Sequence, residues 1–265
     1  MGSEGNDYIF GDEFSDTMYG NGGNDGLNGG GGRDFLHGGE GNDTFVGGEG
    51  ADEMYGEEGD DFFFGELDHN VIDGGADYDT VSYFGLNKGI TVLLDFAIAQ
   101  ATDAPWEFDT IKNIERVIGT SHDDIIVGDH RAAGNSLIAG AGDDVVSGNG
   151  GTDTIVGGAG SDELWGGTES DTFIFNLGDS RGRHANFDRI MDFDLDDDVM
   201  EFQVYDKDTT NWSTETGTVD GKTGTWVKVT ETHFGEAELE IETLYEVFLE
   251  GTAIATVGSD DIVFF

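Results

Sequence analysis

A nine-residue period dominates the first third of this sequence. When the chain is aligned on the glycine that opens each unit, that glycine recurs at the same place in every unit from position 2 to position 74 without a slip. The series is Gly2, Gly11, Gly20, Gly29, Gly38, Gly47, Gly56, Gly65 and Gly74. A fixed self-similar period is the signature of a repeat architecture, in which stacked units share one continuous core.

Each unit joins a glycine-rich turn to a short strand. The pattern Gly-Gly-x-Gly-x-Asp-x-apolar-x is clearest in residues 38–46 and 47–55. The glycines permit a tightly curled backbone, and the residue two places after the aspartate points inward from a strand. The eighth positions of this run are all apolar: Ile9, Met18, Leu27, Leu36, Phe45, Met54, Phe63, Ile72 and Val81. One unit cannot bury its apolar side chain alone, so the units must stack.

Stacking predicts where the aspartates at the sixth position meet. We expect two units to form one flat turn of a solenoid, so that each unit stacks on the unit two places along the chain. Aspartates separated by two units then become neighbours, as with Asp25 and Asp43 or Asp34 and Asp52. Two carboxylates and the carbonyl groups of the glycine turns form an all-oxygen cage, which favours Ca²⁺ over zinc or copper.

The charge of the chain supports a cation-binding role and excludes other classes. The sequence holds 57 acidic and 11 basic residues, a formal net charge of −46. Nucleic acids and anionic membranes are therefore excluded as partners, because both require basic patches. Residues 2–82 carry 21 acids and one base, Arg33, so this stack is not expected to close without divalent cations. The absence of cysteine rules out disulfides and cysteine-ligated metals.

The sequence divides into four segments: a first repeat run (1–82), an insertion (83–118), a second repeat run (119–174) and a C-terminal cap (175–265). In the insertion, residues 89–95 are predicted to form a strand, residues 104–106 mark a loop, and residues 109–118 fit either a short helical turn or a widened coil. The unit at 128–138 carries two extra residues. In the cap, residues 188–194 and 199–204 indicate strand, turn and strand, and residues 226–229 and 239–249 alternate as half-buried strands.

The nonapeptide resembles that of the RTX (repeats-in-toxin) family, whose repeats bind Ca²⁺. The resemblance implies an all-β fold: a parallel β-roll solenoid with two nonapeptides per turn, here in two repeat runs with a β-rich C-terminal cap. It also implies several bound calcium ions, export by type I secretion machinery and an extracellular location. The final residues, Asp260–Phe265, resemble the C-terminal signal of type I secreted proteins, and no basic region followed by an apolar stretch marks an N-terminal signal.

The resemblance assigns the metal ligands to the sixth-position aspartates and to the turns. The predicted carboxylate ligands are Asp7, Asp25, Asp34, Asp43, Asp52, Asp61, Asp79, Asp124, Asp144, Asp153, Asp162 and Asp171. The predicted turn ligands are Gly20, Gly29, Gly38, Glu40, Gly47, Glu49, Gly56, Gly148 and Gly157.

No enzymatic activity is predicted for these residues. The sequence contains no His-Glu-x-x-His helix, no Gly-x-Ser-x-Gly elbow and no cysteine nucleophile. The prediction is therefore a secreted calcium-binding module that folds when it binds Ca²⁺. The alternative is an accessory module that binds polysaccharide or a cell surface within a larger secreted enzyme, such as an alginate epimerase, or within an adhesin. An ice-binding solenoid is excluded, since the seventh positions show no array of threonine or asparagine.

Overall fold

The computed structural model describes residues 1–102, 107–131, 133–177, 187–204, 210–234, 239–252 and 257–265, without the side chains of 231–244. The chain divides into two compact regions, the N-terminal region Met1–Ser121 and the C-terminal region His122–Phe265. The described secondary structure is strand apart from one 3₁₀ turn at Leu94–Phe96. Among the described residues, no helix has the length and apolar character needed to cross a membrane.

The N-terminal region is built from short strands that alternate between two sheets. They are β1 (Tyr8–Phe10), β2 (Thr17–Gly22), β3 (Gly26–Gly31), β4 (Phe35–Glu40), β5 (Thr44–Glu49), β6 (Glu53–Glu58), β7 (Phe62–Phe64), β8 (Val71–Ala76), β9 (Thr80–Ser82), β10 (Ile90–Leu93), β11 (Ile98–Ala101), β12 (Phe108–Lys112) and β13 (Arg116–Ile118). One sheet runs β1-β3-β5-β7-β9-β13, and the other runs β2-β4-β6-β8-β12-β11-β10. Consecutive strands of the repeats therefore lie in opposite sheets, as a coil of two nonapeptides per turn requires.

Strand pairing in the repeats is parallel with a constant offset. Gly26 pairs with Thr44 and Thr44 with Phe62, so that each strand is displaced from its neighbour by two nonapeptides. The eighth-position side chains fill the space between the sheets, and from Leu27 to Val81 they are at most 1% exposed. Phe45 and Phe63 stack within this core at 4.6 Å between ring centroids. The predicted parallel β-roll is confirmed.

The insertion widens the coil before the chain returns to the roll. Strand β10 pairs antiparallel with β11, and β11 with β12, while β12 pairs parallel with β8 of the first run. Residues 109–118 therefore form a widened coil, and the helical alternative for this segment was wrong. The strand expected over residues 89–95 ends at Leu93, because Leu94–Phe96 form the 3₁₀ turn. The loop predicted at residues 104–106 lies outside the described residues.

The C-terminal region repeats the two-sheet arrangement. Its strands are β14 (Ile125–Val127), β15 (Ser136–Ala141), β16 (Val145–Gly150), β17 (Thr154–Ala159), β18 (Glu163–Thr168), β19 (Thr172–Phe175), β20 (Asp188–Ile190), β21 (Val199–Phe202), β22 (Thr210–Val219), β23 (Lys222–Phe234), β24 (Leu239–Glu250) and β25 (Ile262–Phe264). Within this region the strand orders are β15-β17-β19-β21-β25 and β14-β16-β18-β20-β24-β23-β22. Ile125 pairs with Val145, an offset longer than two nonapeptides by the two extra residues predicted in the unit at 128–138.

Coil stacking continues beyond the last nonapeptide. Strand β20 adds to β18, and β21 adds to β19, both in parallel. The predicted strands over 188–194 and 199–204 therefore exist, but they lie in opposite sheets, one on each side of the coil. Strands β22, β23 and β24 pair antiparallel and include the predicted strands at 226–229 and 239–249. They supply the β-rich cap.

Candidate metal centre

The sixth-position aspartates form rows along the turns of the roll. In the N-terminal region one row contains Asp7, Asp25, Asp43, Asp61 and Asp79, and the other contains Asp16, Asp34, Asp52 and Asn70. From Asp25 onward these side chains are buried, and Asp43 is 1% exposed. Burial of so many ionisable groups in two rows is unusual, because aspartate is almost never fully buried unless it is paired.

One carboxylate oxygen of each buried aspartate accepts a backbone hydrogen bond from the preceding turn. The N–H of Asp25 donates to Oδ1 of Asp43 at 2.7 Å, and the N–H of Asp43 donates to Oδ1 of Asp61 at 2.7 Å. In the other row, the N–H of Asp34 donates to Oδ1 of Asp52 at 2.8 Å. Each aspartate therefore contacts the turns on both sides, as predicted for Asp43 with Asp25 and Asp61.

The second carboxylate oxygen faces inward and is left without a donor. In the described part of the chain, a buried Oδ2 has no hydrogen-bond partner in Asp25, Asp34, Asp43, Asp52, Asp61, Asp79, Asp144, Asp153 and Asp171. An uncompensated buried carboxylate costs several kcal/mol, on the order of 3–5. A periodic set of such oxygens indicates a ligand of opposite charge.

The glycine turns bring carbonyl oxygens to the same places. A methyl group added at Gly38 would lie closer than 3.0 Å to both Oδ2 of Asp43 and the carbonyl oxygen of Gly56. The same holds at Gly20 and Gly29, each with its own aspartate and the glycine of the next turn. Gly39 has φ +116°, a conformation that side-chain-bearing residues rarely adopt. The turns therefore enclose a lining of carboxylate and carbonyl oxygens that any side chain would fill.

The second run repeats this geometry. The N–H of Asp144 donates to Oδ1 of Asp162, and the N–H of Asp153 donates to Oδ1 of Asp171, both at 2.9 Å. A methyl group at Gly148 would lie within 3.0 Å of Oδ2 of Asp153. The turns of both runs thus present the same set of oxygen atoms.

Burial makes these carboxylates reluctant to ionise in the absence of a cation. Burial, together with neighbouring carboxylates, raises the pKa of Asp43 to about 6 and the pKa of Asp61 to about 8. The same causes raise the pKa of Asp144 to about 8 and that of Asp171 to about 7. Backbone hydrogen bonds to Oδ1 act in the opposite direction and do not compensate. Without a cation, burial therefore favours the protonated acids over the anions that a metal requires.

These observations fit calcium. Ca²⁺ takes six to eight oxygen ligands in flexible geometry, and carboxylates and backbone carbonyls are its usual donors. The described residues contain no group of three or more His, Cys, Asp or Glu side chains arranged around one point. The groups that line the turns are carboxylate and carbonyl oxygens, whereas zinc and copper prefer nitrogen and sulfur donors.

The structure places most of the predicted ligands at the cages and a few outside them. Gly20, Gly29, Gly38, Gly47, Gly56, Gly148 and Gly157 all face the Oδ2 of their own aspartate. The side chains of Glu40 and Glu49, in contrast to these glycines, are exposed. Asp7 is half-buried in the first coil, and its Oδ2 accepts hydrogen bonds from the N–H (2.6 Å) and hydroxyl (2.8 Å) of Ser3. The N–H of Asp124, which is buried, donates to Oδ1 of Asp144 at 2.7 Å.

Four acidic residues outside the nonapeptides continue the rows, and the sequence reasoning missed them. They are Asp109, Glu115, Asp188 and Asp198, which accept hydrogen bonds from the N–H groups of Asn70, Asp79, Asp162 and Asp171 respectively. None follows a glycine turn. Each one is followed two residues later by a buried apolar residue, as in a nonapeptide. The sequence signal that could have identified them is an acidic residue two places before a buried apolar residue, even where no glycine turn precedes it.

A model of the RTX calcium-binding nonapeptide repeat matches residues 1–36, 37–72, 47–81, 132–164 and 147–181. This chain belongs to the RTX calcium-binding repeat family. The matched segments contain the rows of buried aspartates in both regions. RTX repeats are structural calcium-binding modules rather than catalytic ones, and they occur in secreted bacterial proteins.

Three solved structures are similar to this RTX chain. The extracellular lipase LipA from Serratia marcescens is 21% identical over 88% of this chain, with a TM-score of 0.36, and the chain spans 40% of the lipase. The AlgE6R3 subunit of the Azotobacter vinelandii mannuronan C5-epimerase is 30% identical over 53% of this chain and 78% of its own length, with a TM-score of 0.36. The AlgE6R2 subunit of that epimerase is 28% identical over 54% and 89%, with a TM-score of 0.38. No curated protein matches the chain.

Proposed function

We propose that this RTX chain is a calcium-dependent folding module, in which Ca²⁺ occupies the cages between successive turns of each run. The observation that carries the proposal is the periodic set of buried Oδ2 atoms without donors. The proposed ligands are the buried sixth-position aspartates and the carbonyl groups of the first-position glycines. Ion binding supplies the positive charge that the buried carboxylates lack, so its free energy becomes folding free energy.

Charge explains why folding depends on the ion. The net charge of −46 makes the metal-free chain repel itself, and folding buries carboxyl groups that ionise unfavourably without a cation. We therefore expect an expanded chain at low calcium and a folded roll at the millimolar calcium of extracellular media. This order of events suits export of an unfolded chain by type I secretion machinery followed by folding outside the cell, which we propose as the biological setting.

Circular dichroism in calcium-free buffer and then in excess Ca²⁺ tests the folding proposal. We expect a large gain of β signal on addition of the ion and its loss on chelation with EDTA. A β signal that does not change on addition of Ca²⁺ would contradict the proposal. Isothermal titration on the same sample gives the number of ions bound, which should be several per chain.

A second candidate function is binding to an extracellular polysaccharide. The observation that favours it is the presence of outward aromatic side chains on one sheet: Tyr8 is 83% exposed, and Phe64 is 40% exposed and makes an edge contact with Phe62. Aromatic faces at a surface are typical of sugar-binding sites. A glycan array probed at saturating Ca²⁺ tests this role, with a Tyr8→Ala, Phe64→Ala double variant as the control. If the wild-type chain binds no glycan more strongly than the double variant does, this role is excluded.

A further inference from the structure

The end of the insertion imitates a nonapeptide turn without its sequence. Lys112 pairs with Asp73, and Arg116 pairs with Thr80, so the segment between Lys112 and Arg116 takes the place that Gly74–Asp79 hold one turn earlier. Three residues, 113–115, thus replace a turn of six. The backbone closes in the usual way, because the N–H of Arg116 donates to the carbonyl oxygen of Asp79 at 2.9 Å. In a standard coil, Phe62 donates to the carbonyl oxygen of Asp43 at 2.9 Å.

The shortened turn presents the same chemical groups as a standard turn. A methyl group at Gly74 would lie closer than 3.0 Å to Oδ2 of Asp79 and to the carbonyl oxygen of Asn113. At Gly38 the corresponding atoms are Oδ2 of Asp43 and the carbonyl oxygen of Gly56. The N–H of Asp79 donates to Oε2 of Glu115 at 3.0 Å, as Asp43 donates to Asp61. Asn113 therefore stands for the first glycine, and Glu115 stands for the aspartate.

The shortened turn contains a buried carboxylate oxygen, Oδ2 of Asp79, that has no hydrogen-bond partner. Asp79 is fully buried at 0% exposure. The extra methylene of Glu115 lengthens the acid where the backbone turn is three residues shorter. The longer side chain therefore lets the carboxylate reach the position that aspartate reaches from a full turn.

The other edge of the insertion provides a contrast. Asp109 also continues a row, but both of its carboxylate oxygens accept hydrogen bonds: Oδ1 from the N–H of Asn70 at 3.0 Å, and Oδ2 from Leu67 and from the hydroxyl of Tyr83, both at 3.3 Å. The facing residue is Asn70, whose buried amide nitrogen occupies the position of an Oδ2 and has no acceptor. A donor in that position repels a cation, so this junction has no site.

We propose that Asp79, Glu115 and the carbonyl oxygen of Asn113 bind an additional Ca²⁺ that joins the last nonapeptide of the first run to the end of the insertion. The inference rests on the proposed function, because it assigns one more ion to the same kind of cage. Its consequence is specific to this chain. The insertion leaves the repeats after β9, and its last strand, β12, pairs with β8 immediately before Asn113. An ion held by Asp79 on one side and by Asn113 and Glu115 on the other therefore ties the two ends of the insertion together and stabilises strands β10, β11 and β12.

Glu115→Gln tests the site, because glutamine keeps an oxygen that can accept the hydrogen bond from Asp79 but removes the negative charge. The matched control is Glu107→Gln, the same substitution in the same insertion, where Glu107 pairs with Lys88 away from the cage. Isothermal titration should show one fewer Ca²⁺ per chain for Glu115→Gln and the wild-type number for Glu107→Gln. Hydrogen exchange at saturating Ca²⁺ should show faster exchange in Ile90–Ala101 for the Glu115 variant alone.

Two results would overturn the inference: an unchanged ion count in Glu115→Gln, or an equal loss in both variants. A wild-type chain that binds no Ca²⁺ would instead overturn the proposed function. An anomalous difference map from crystals of the unsubstituted protein grown in Ca²⁺ gives an answer that does not depend on how the variants fold. We expect a peak between Asp79 and Glu115, and an empty position there beside an occupied cage at Asp43 would contradict the assignment.

Discussion

A single aspartate such as Asp43 has three roles in this fold. Its Oδ1 accepts a hydrogen bond from Asp25, its N–H donates to Asp61, and its Oδ2 remains available to a ligand. Asp16 differs because it lies in the first coil described and is only half-buried. The position in the row, and not the residue type, decides how many cages an aspartate serves.

Substitution of Asp43 by Asn should therefore reduce calcium affinity more than the same change at Asp16. Asparagine keeps an acceptor for Asp25 but removes charge from two neighbouring cages, and calcium affinity follows the charge of the ligands. We expect a loss on the order of tenfold in the affected sites for Asp43→Asn, about 1.4 kcal/mol, and a smaller loss for Asp16→Asn. Isothermal titration measures both, and equal losses would contradict the stacking of units two places apart.

The raised pKa values predict an unusual pH dependence for the calcium-free chain. Since the pKa of Asp61 is about 8 in the fold, against an ordinary value near 4, the folded state holds more protons than the unfolded state between these pH values. Stability therefore falls as pH rises through this window. Far-UV circular dichroism of the calcium-stripped chain should therefore show less β signal at pH 8 than at pH 5.

Saturating Ca²⁺ should weaken or reverse this trend, because the ion binds the ionised carboxylates and protons compete with it. The same spectra recorded with and without saturating Ca²⁺ at pH 5 and pH 8 provide the comparison. A calcium-free chain that gains β signal from pH 5 to pH 8 would show that the buried acids are already ionised and would contradict the raised pKa values.

The repeat strands contribute their eighth-position side chains to the core, so the roll depends on an unbroken column of apolar residues. Phe63 in β7 is fully buried and stacks on Phe45 of β5, whereas Phe10 in β1 is 72% exposed. The sequence predicted this column because the apolar residue recurs at the eighth position. It did not predict that β12, β13, β20 and β21 extend the column, since those strands follow no glycine turn.

Phe63→Ala should lower the unfolding free energy at saturating Ca²⁺ by about 3–5 kcal/mol, the usual cost of a large cavity in a core. Phe10→Ala serves as the control and should change it by no more than about 0.5 kcal/mol. Urea denaturation with fluorescence or circular dichroism detection measures both. Similar values for the two variants would argue against a core that lies between the sheets.

The net charge of −46 acts on the chain as a whole, but screening it is not the same as binding an ion. At 1 M salt the Debye length falls to about 3 Å, so repulsion between surface charges is largely removed. The buried Oδ2 atoms still lack a ligand under that condition. Charge repulsion and unfilled cages are thus separate obstacles to folding.

Sodium chloride at 1 M should therefore restore little of the β signal that millimolar Ca²⁺ produces. Mg²⁺ should also be a poor substitute, because it demands near-ideal octahedral geometry and gives up its water reluctantly. Far-UV circular dichroism in the three salts separates the two obstacles. Full folding in sodium chloride would show that screening alone is sufficient and that the cages are not required.

The sequence by itself determined the repeat, the inward column and the aspartate rows, because all three follow from a strict local period. The offset of two nonapeptides between paired strands, the longer offset at 128–138 and the contact of Asp43 with both neighbours follow from that period too. Only the tertiary structure decided which oxygen of each carboxylate lacks a donor. It also showed that Asn113 and Glu115 present the groups of a cage and that Asp109 does not. These outcomes depend on contacts between segments with no shared period, where backbone closure rather than local pattern sets the neighbours.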